Sequence, residues 1–159
     1  DDEGFYRMGD TVAFHDPADP AKGLYFTGRL AEEFKLNSGI FVRGGEIHDE
    51  LLRLLSPMVL DLLVCGEGRD EVAILAWPGG AVSAEGAALV AERLAAYNSR
   101  NPASSRRIGR LAFLAEPPSI AGQEVSDKGT INQNAALRRR SAEVERLYSA
   151  QPAPDIMVF

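Results

Sequence analysis

The sequence predicts an α+β domain in which helices cover a small β-sheet, with a β-hairpin in front of it. Three patterns support this fold class: apolar residues that recur at helical spacing, continuous apolar runs of the length of buried strands, and intervening runs rich in Pro, Gly and Asp. After the hairpin region the predicted order is helix, two strands, helix, strand, helix. This mixture is typical of one sheet with helices packed on it.

Two hairpins are predicted at the start of the chain. Residues 10–29 contain two short β-like runs separated by a loop with two prolines, two aspartates and a glycine, which indicates a hairpin with a long loop. A second, shorter hairpin is predicted where residues 34–36 and 39–42 flank the turn residues Asn37 and Ser38.

The middle of the chain predicts the helices and strands of the domain core. One helix face at spacing i, i+4, i+7 and i+8 consists of Ile47, Leu51, Leu54 and Leu55. The apolar runs 58–65 and 71–77 predict two buried strands. Ser83 is a predicted N-cap for a helix that reaches about Asn98, and residues 108–115 predict a further strand.

The C-terminal part predicts one last helix followed by a tail. The apolar face of this helix is formed by Leu137, Val144, Leu147 and Tyr148. We expect the tail from Gln151, which contains two prolines, to be loosely ordered.

Composition limits the possible functions. The chain has 159 residues, 45% of them hydrophobic, which is enough for one domain with a normal core. Its net charge of -6 argues against broad affinity for nucleic acid or a membrane surface. Cys65 is the one cysteine and lies in an apolar run, so it predicts a buried strand residue, fits a cytoplasmic location and excludes a disulfide within the chain. His15 and His48 are far apart with no cysteine nearby, so no metal site is predicted.

Three short motifs occur in a fixed order. Residues 4–10 read Gly-Phe-Tyr-Arg-Met-Gly-Asp, residues 28–36 read Gly-Arg-Leu-Ala-Glu-Glu-Phe-Lys-Leu, and residues 126–133 read Ser-Asp-Lys-Gly-Thr-Ile-Asn-Gln. In this order they resemble the closing motifs of adenylate-forming enzymes, which include acyl- and aryl-CoA synthetases. Feruloyl-CoA synthase-type ligases are the nearest likeness, because their tails carry a similar Asp-Lys-Gly-Ser/Thr-Ile-Asn-Gln stretch. The resemblance extends over nearly the whole chain.

This resemblance implies a place in a larger enzyme. Residues 1–31 would be the end of a preceding domain with its linker hairpin, and residues 32–159 a mobile C-terminal domain. The implied reaction adenylates a carboxylic acid with ATP and then forms a thioester with CoA, with Mg²⁺ bound mainly by the preceding N-terminal domain. The chain has no initiator Met and begins inside a motif, so we expect a fragment that is inactive alone.

The resemblance also assigns residues near the linker. Asp10, four residues after Tyr6, would accept hydrogen bonds from the ribose diol, since a carboxylate offers two acceptor oxygens. Arg29 would lie beside the nucleotide as a permanent cation. Glu32 aligns with the hinge residue, for which a solvent-exposed position is expected, and Glu33 is the alternative pivot.

Lys128 is the candidate for the lysine that stabilises developing charge during adenylation. The common family pattern is Gly followed by Lys, whereas here Lys128 precedes Gly129 and Thr130 stands at the usual lysine position. Either the turn has shifted its register so that Lys128 acts, or Lys128 is a surface residue. The loop of Asn37, Ser38 and Gly39 would lie near the path of CoA.

Two features require alternative interpretations. Residues 43–46 read Arg-Gly-Gly-Glu but come too late for the family's post-hinge motif, so Gly44 and Gly45 are predicted to form the turn into the first helix. Arg138, Arg139 and Arg140 predict a solvated helix face, with contact to the 3′-phosphate of CoA as the alternative. Two other functions also fit the chain: a stand-alone, non-catalytic binding domain of this fold, and an adenylation domain that serves a carrier protein.

Overall fold

A computed structural model describes residue 4 and residues 8–159. Tyr6 of the first motif lies outside the described residues. The strands and helices follow one another as β1 (Asp10–Phe14), β2 (Leu24–Arg29), β3 (Glu33–Lys35), β4 (Phe41–Arg43), α1 (Gly44–Leu55), β5 (Val59–Cys65), β6 (Val72–Pro78), α2 (Ala84–Arg100), β7 (Ile108–Phe113), α3 (Gln133–Arg139), α4 (Ser141–Leu147) and β8 (Met157–Val158).

The main sheet has four strands in the order β5-β6-β7-β8. β5 and β6 are antiparallel neighbours joined by a tight turn, whereas β6 and β7 are parallel. Parallel neighbours need a crossover, and α2 supplies it. This mixed sheet with helices packed on it confirms the predicted α+β class.

Both faces of the main sheet are buried, which explains why its strands read as continuous apolar runs. On one face α1 and α2 pack on alternate strand residues such as Leu62 and Ile74. On the other face α3 and α4 cover the intervening residues, including Leu63, Cys65 and Leu75. Cys65 is thus buried, as predicted.

Two small two-stranded sheets precede the main sheet, as predicted. β1 pairs with β2 to form what we call the linker hairpin, and β3 pairs with β4. The large apolar side chains of the linker hairpin remain about half exposed and belong to neither core cluster; they include Val12, Phe14, Leu24 and Phe26. The linker hairpin contacts the domain at α1, where Gly28 and Gly45 lie close together.

Two predictions for the C-terminal part were wrong. The single last helix is two short helices, α3 and α4, that meet at Arg140, because the Arg140 side chain turns inward to a buried carboxylate. Residues 137, 144, 147 and 148 still share the buried side. The tail is ordered: Ile156 is buried and β8 pairs with β7, since these residues complete the sheet edge.

Candidate functional site

A groove of about 310 Å³ lies between the end of β2, the start of α1 and the turn before α3. We call it the linker groove. Its lining includes two predicted site residues, Arg29 and Glu32, and the two residues that follow Lys128, Gly129 and Thr130. The folded chain therefore brings together parts of two motifs that are far apart in sequence, at residues 28–36 and 126–133.

Lys128 lies at the tip of a short antiparallel turn, residues 125–131, which we call the lysine turn. Val125 and Ile131 form a β-bridge, and the Ser126 N–H donates to the Thr130 carbonyl at 2.8 Å. Gly129 has φ +77°, a left-handed conformation that favours glycine. Lys128 is exposed, and it directly precedes Gly129 and Thr130, which line the groove.

Thr130 has a structural role in the lysine turn. Its hydroxyl lies 2.8 Å from the Ser126 hydroxyl, and one of the two donates to the other. This contact closes the turn and leaves Lys128 as the cation that the turn presents.

Asp10 and Arg29 lie opposite each other on the linker hairpin. They are register partners at the end where β1 begins and β2 finishes, and both are exposed. Just beyond them the Leu30 N–H donates to the Gly9 carbonyl at 2.8 Å. The hairpin therefore brings a carboxylate and a guanidinium to one end, with Arg29 facing the linker groove.

Glu32 ends a 3-10 helix that connects the linker hairpin to β3. The expectation that Glu32 would be solvent-exposed was wrong, because Glu32 is half-buried against the start of α1. A Cβ at Gly44 would lie 2.3 Å from the Glu32 carbonyl, so only glycine allows this approach. Gly44 and Gly45 thus open α1 itself and receive the linker backbone.

Glu32 lies in a half-buried position directly before β3. Burial raises the pKa of the Glu32 carboxyl above its usual value, and the nearby charges of Arg29 and His48 oppose this only in part. Glu33 is the first residue of β3 and lies opposite Arg43 of β4 in the strand register. Glu32 is therefore the last residue before the β3–β4 sheet begins.

His48 was not assigned any role from the sequence. Its Nε2 lies 2.8 Å from Asp61 Oδ1, and its Nδ1 lies 3.0 Å from Asp49 Oδ1. Burial alone lowers the pKa of His48, but the hydrogen bonds to Asp61 and Asp49 outweigh it and raise the pKa overall. Asp61 lies on β5, so nothing in the local sequence indicated this pair.

Asn37, Ser38 and Gly39 form the tight turn between β3 and β4, and none of them lines the linker groove. The Gly39 N–H donates to the Leu36 carbonyl at 2.8 Å, and Gly39 has φ +82°. The Asn37 amide donates to Asp70 at 3.1 Å, which ties this turn to the β5–β6 turn.

The predicted solvated face of arginines was wrong for Arg140. Arg140 is only 3% exposed and Glu124 is fully buried, and the two form a salt bridge with Arg140 Nε 2.8 Å from Glu124 Oε1. Burial alone raises the pKa of Glu124, but hydrogen bonds from Arg140 and the Ser119 N–H bring it below its usual value. Because Arg140 is engaged inside the domain, it is not available for the 3′-phosphate of CoA.

The sequence did not predict the contacts of two amide side chains just after the lysine turn. Gln133, quoted within the third motif, bonds the backbone of β5 at Leu62 and Val64. Asn134 donates to the Ala31 carbonyl, next to Glu32, at 3.0 Å. Their position at the start of a helix was the only sequence signal.

Two further observations concern the described residues as a whole. Within residues 8–159 no helix combines the length and apolar character needed to cross a membrane. The same part of the chain contains no cluster of three or more His, Cys, Asp or Glu side chains suited to hold a metal ion.

Solved structures share this fold. The chain is similar to the adenylation domain of a carboxylate reductase from Mycobacterium chelonae, with a TM-score of 0.71 and 22% identity over 93% of this chain and 24% of that chain. The chain is also similar to the A domain of carboxylic acid reductase from Segniliparus rugosus in complex with AMP and a co-purified carboxylic acid. Here the TM-score is 0.72 and the identity 22%, over 93% of this chain and 24% of that chain. For coronafacic acid ligase from Pectobacterium brasiliense the TM-score is 0.53 and the identity 18%, over 95% of this chain and 25% of that chain.

The chain thus spans about a quarter of the length of these similar structures. No curated protein sequence matches it. Residues 39–152 match the family described as AMP-binding enzyme C-terminal domain, which is well over half of the chain. This chain is therefore a member of the AMP-binding enzyme C-terminal domain family.

Proposed function

We propose that the chain is the mobile C-terminal domain of an ATP-dependent acyl- or aryl-CoA ligase, with a feruloyl-CoA synthase-type enzyme as the nearest likeness. The first step joins the substrate carboxylate to the α-phosphate of ATP and releases pyrophosphate. In the second step the CoA thiol attacks the acyl carbon and AMP leaves. One observation carries the proposal: the lysine turn, Arg29 and Glu32 meet at the linker groove.

In the first step Lys128 would stabilise the charge that develops between the carboxylate and the α-phosphate. A compact ammonium at the tip of a closed turn suits this task, because it can enter a site formed by another domain. Asp10 would accept hydrogen bonds from the ribose diol and Arg29 would lie beside the nucleotide. ATP and its Mg²⁺ would be held mainly by the preceding domain.

In the second step the domain would rotate about Glu32. The turn of Asn37, Ser38 and Gly39 would then approach the path of CoA. The lysine turn borders the linker groove and the turn of residues 37–39 does not, which fits such an alternation, since one domain would present different surfaces in the two steps.

The preceding domain is the proposed partner of the linker hairpin. Val12 and Phe26 are cross-strand partners whose side chains are 55% and 57% exposed, so the hairpin has apolar surface to bury. Residues 1–31 would then belong with that domain and residues 32–159 would move. A cytoplasmic location completes the proposal, in line with the single buried cysteine.

The test is Lys128→Ala in the full-length polypeptide that contains this chain. Adenylation, followed as ATP–pyrophosphate exchange with a panel of aryl and acyl acids, should slow about 100-fold or more, the scale of losing one preorganised donor. Release of AMP from a supplied acyl-adenylate and CoA should change little. Lys22→Ala, which removes a lysine from the hairpin loop, is the matched control.

Unchanged pyrophosphate exchange in the Lys128→Ala variant would contradict the assignment of the lysine. Full-length protein that exchanges no pyrophosphate with any acid would favour a non-catalytic binding domain. A carrier protein as acceptor would be recognised by thioester formation on its phosphopantetheine arm but not on free CoA.

A further inference from the structure

The lysine turn is closed by its own hydrogen bonds, so its direction depends on what holds its base. The Gly129 N–H donates to the Ser126 carbonyl at 2.9 Å, and below the bridge of Val125 and Ile131 the Asn132 N–H donates to the Glu124 carbonyl at 2.9 Å. One end of the base is therefore fixed by Glu124 in its buried salt bridge with Arg140. The other end leads directly into Gln133.

Gln133 fixes this second end to the main sheet. Its side chain is buried, and its Nε2 donates to the Leu62 carbonyl at 2.8 Å while its Oε1 accepts from the Val64 N–H at 3.3 Å. Leu62 and Val64 lie on β5, whose partner strand is on the other side. The amide therefore occupies the place that a neighbouring strand would take.

A small tilt at this base moves Lys128 a long way. About three residues separate the base of the turn from its tip, and at ~3.3 Å per residue the tip stands about 10 Å away. A tilt of ~10° would shift the tip by about 2 Å. A displacement of ~1 Å can already slow a positioned reaction by about 100-fold.

We propose that Gln133 is a positioning residue for adenylation, which sets the place of Lys128 by holding the base of the lysine turn to β5. This inference rests on the proposed function of Lys128. Gln133 lies at the wall of the linker groove, but both of its amide atoms are bonded to the β5 backbone, so it acts through Lys128 and not on the substrate. Its loss should therefore affect only the step that uses Lys128.

The test uses Gln133→Met in the full-length polypeptide, because Met keeps the length of the side chain and removes both hydrogen bonds. Pyrophosphate exchange should fall about 10- to 100-fold in kcat with little change in the KM for ATP. Thioester formation from a supplied acyl-adenylate should stay within about 2-fold of the original protein. Gln151→Met, the same change at an exposed position of the tail, should leave both steps unaltered.

A double-mutant cycle separates positioning from general weakening. In the Lys128→Ala background, Gln133→Met should cause no further loss of adenylation, since a residue that acts through Lys128 has nothing left to position. If the double variant loses adenylation by the product of the two single losses, or if Gln133→Met slows both half-reactions equally, the proposal is overturned. If Gln133→Met does not fold, Gln133→Glu retains the acceptor for the Val64 N–H and should show the same selective loss, and equal losses in that variant would overturn the proposal too.

The two proposals fail in different ways. If Lys128→Ala leaves adenylation intact, the lysine assignment fails and the role of Gln133 fails with it. If Lys128→Ala slows adenylation but Gln133→Met does not, only the role of Gln133 is lost.

Discussion

The lysine turn and the linker hairpin border the same groove, but contacts of different kinds hold them. The base of the lysine turn is tied to the domain by buried polar groups: the Glu124–Arg140 salt bridge and the Gln133 amide on β5. The linker hairpin leaves its large apolar side chains about half exposed. The lysine turn is thus anchored within the domain by its base, whereas the hairpin leaves apolar surface uncovered.

The largest effect should come from breaking the buried salt bridge. Arg140→Met should lower the free energy of unfolding by about 3–5 kcal/mol, because the buried Glu124 carboxylate loses the cation that bonds both of its oxygens and keeps only the longer 3.5 Å contact with Arg139. The melting temperature of the chain should fall by roughly 6–20 °C. Thermal and urea unfolding measure the change.

A double variant provides the control for Arg140. Glu124→Gln with Arg140→Met should be more stable than Arg140→Met alone, because no charge remains buried and the Gln oxygen can still accept from the Ser119 N–H. If the double variant is no better than the single one, the charge of Glu124 is not the cause of the loss.

An intermediate effect is expected where the linker meets α1. Gly44→Ala should destabilise the chain by about 1–3 kcal/mol, since the new methyl would meet the Glu32 carbonyl, a backbone atom with little room to move. Gly80→Ala is the matched control because its Cβ would contact nothing within 4 Å. Equal melting temperatures for the two variants would show that the linker does not rest on α1 in solution.

The smallest effect on stability should come from the linker hairpin. Val12→Thr with Phe26→Thr removes exposed apolar groups from a cross-strand pair and leaves a β-branched residue at both positions, so each change should cost less than about 0.5 kcal/mol in the chain alone. In the full-length polypeptide the same variant should become more sensitive to proteolysis in the linker. A loss of several kcal/mol in the chain alone would instead make the hairpin part of the domain core.

The sequence predicted the parts of the fold that depend on local patterns. Continuous apolar runs indicated β5 and β6 because both faces of the sheet are covered, and Ser83 does cap α2 by accepting from the Gly86 N–H. The break at Arg140 could not be predicted, since its cause is a carboxylate sixteen residues earlier that becomes its neighbour only after folding. The order of the tail likewise depends on an open sheet edge at β7.

For the candidate site, sequence reasoning could name individual residues but not their surroundings. Arg29, Glu32 and Lys128 came from motifs. That Arg29 and Glu32 line one groove with Gly129 and Thr130, the residues after Lys128, follows from tertiary structure. The bonds of His48 to Asp61 and of Gln133 to Leu62 join a side chain to a strand whose place beside it is set by packing. No local spacing carries that information.

The amide of Gln133 on β5 has a consequence for solubility. An edge strand with free N–H and carbonyl groups is a template on which another chain can add a strand, and β5 also exposes Leu60. Gln133 occupies two of these backbone groups in the middle of the strand and so blocks a continuous ladder. The same side chain that holds the lysine turn would thereby protect the sheet from aggregation, and variants at this position should be handled at low concentration when their activity is compared.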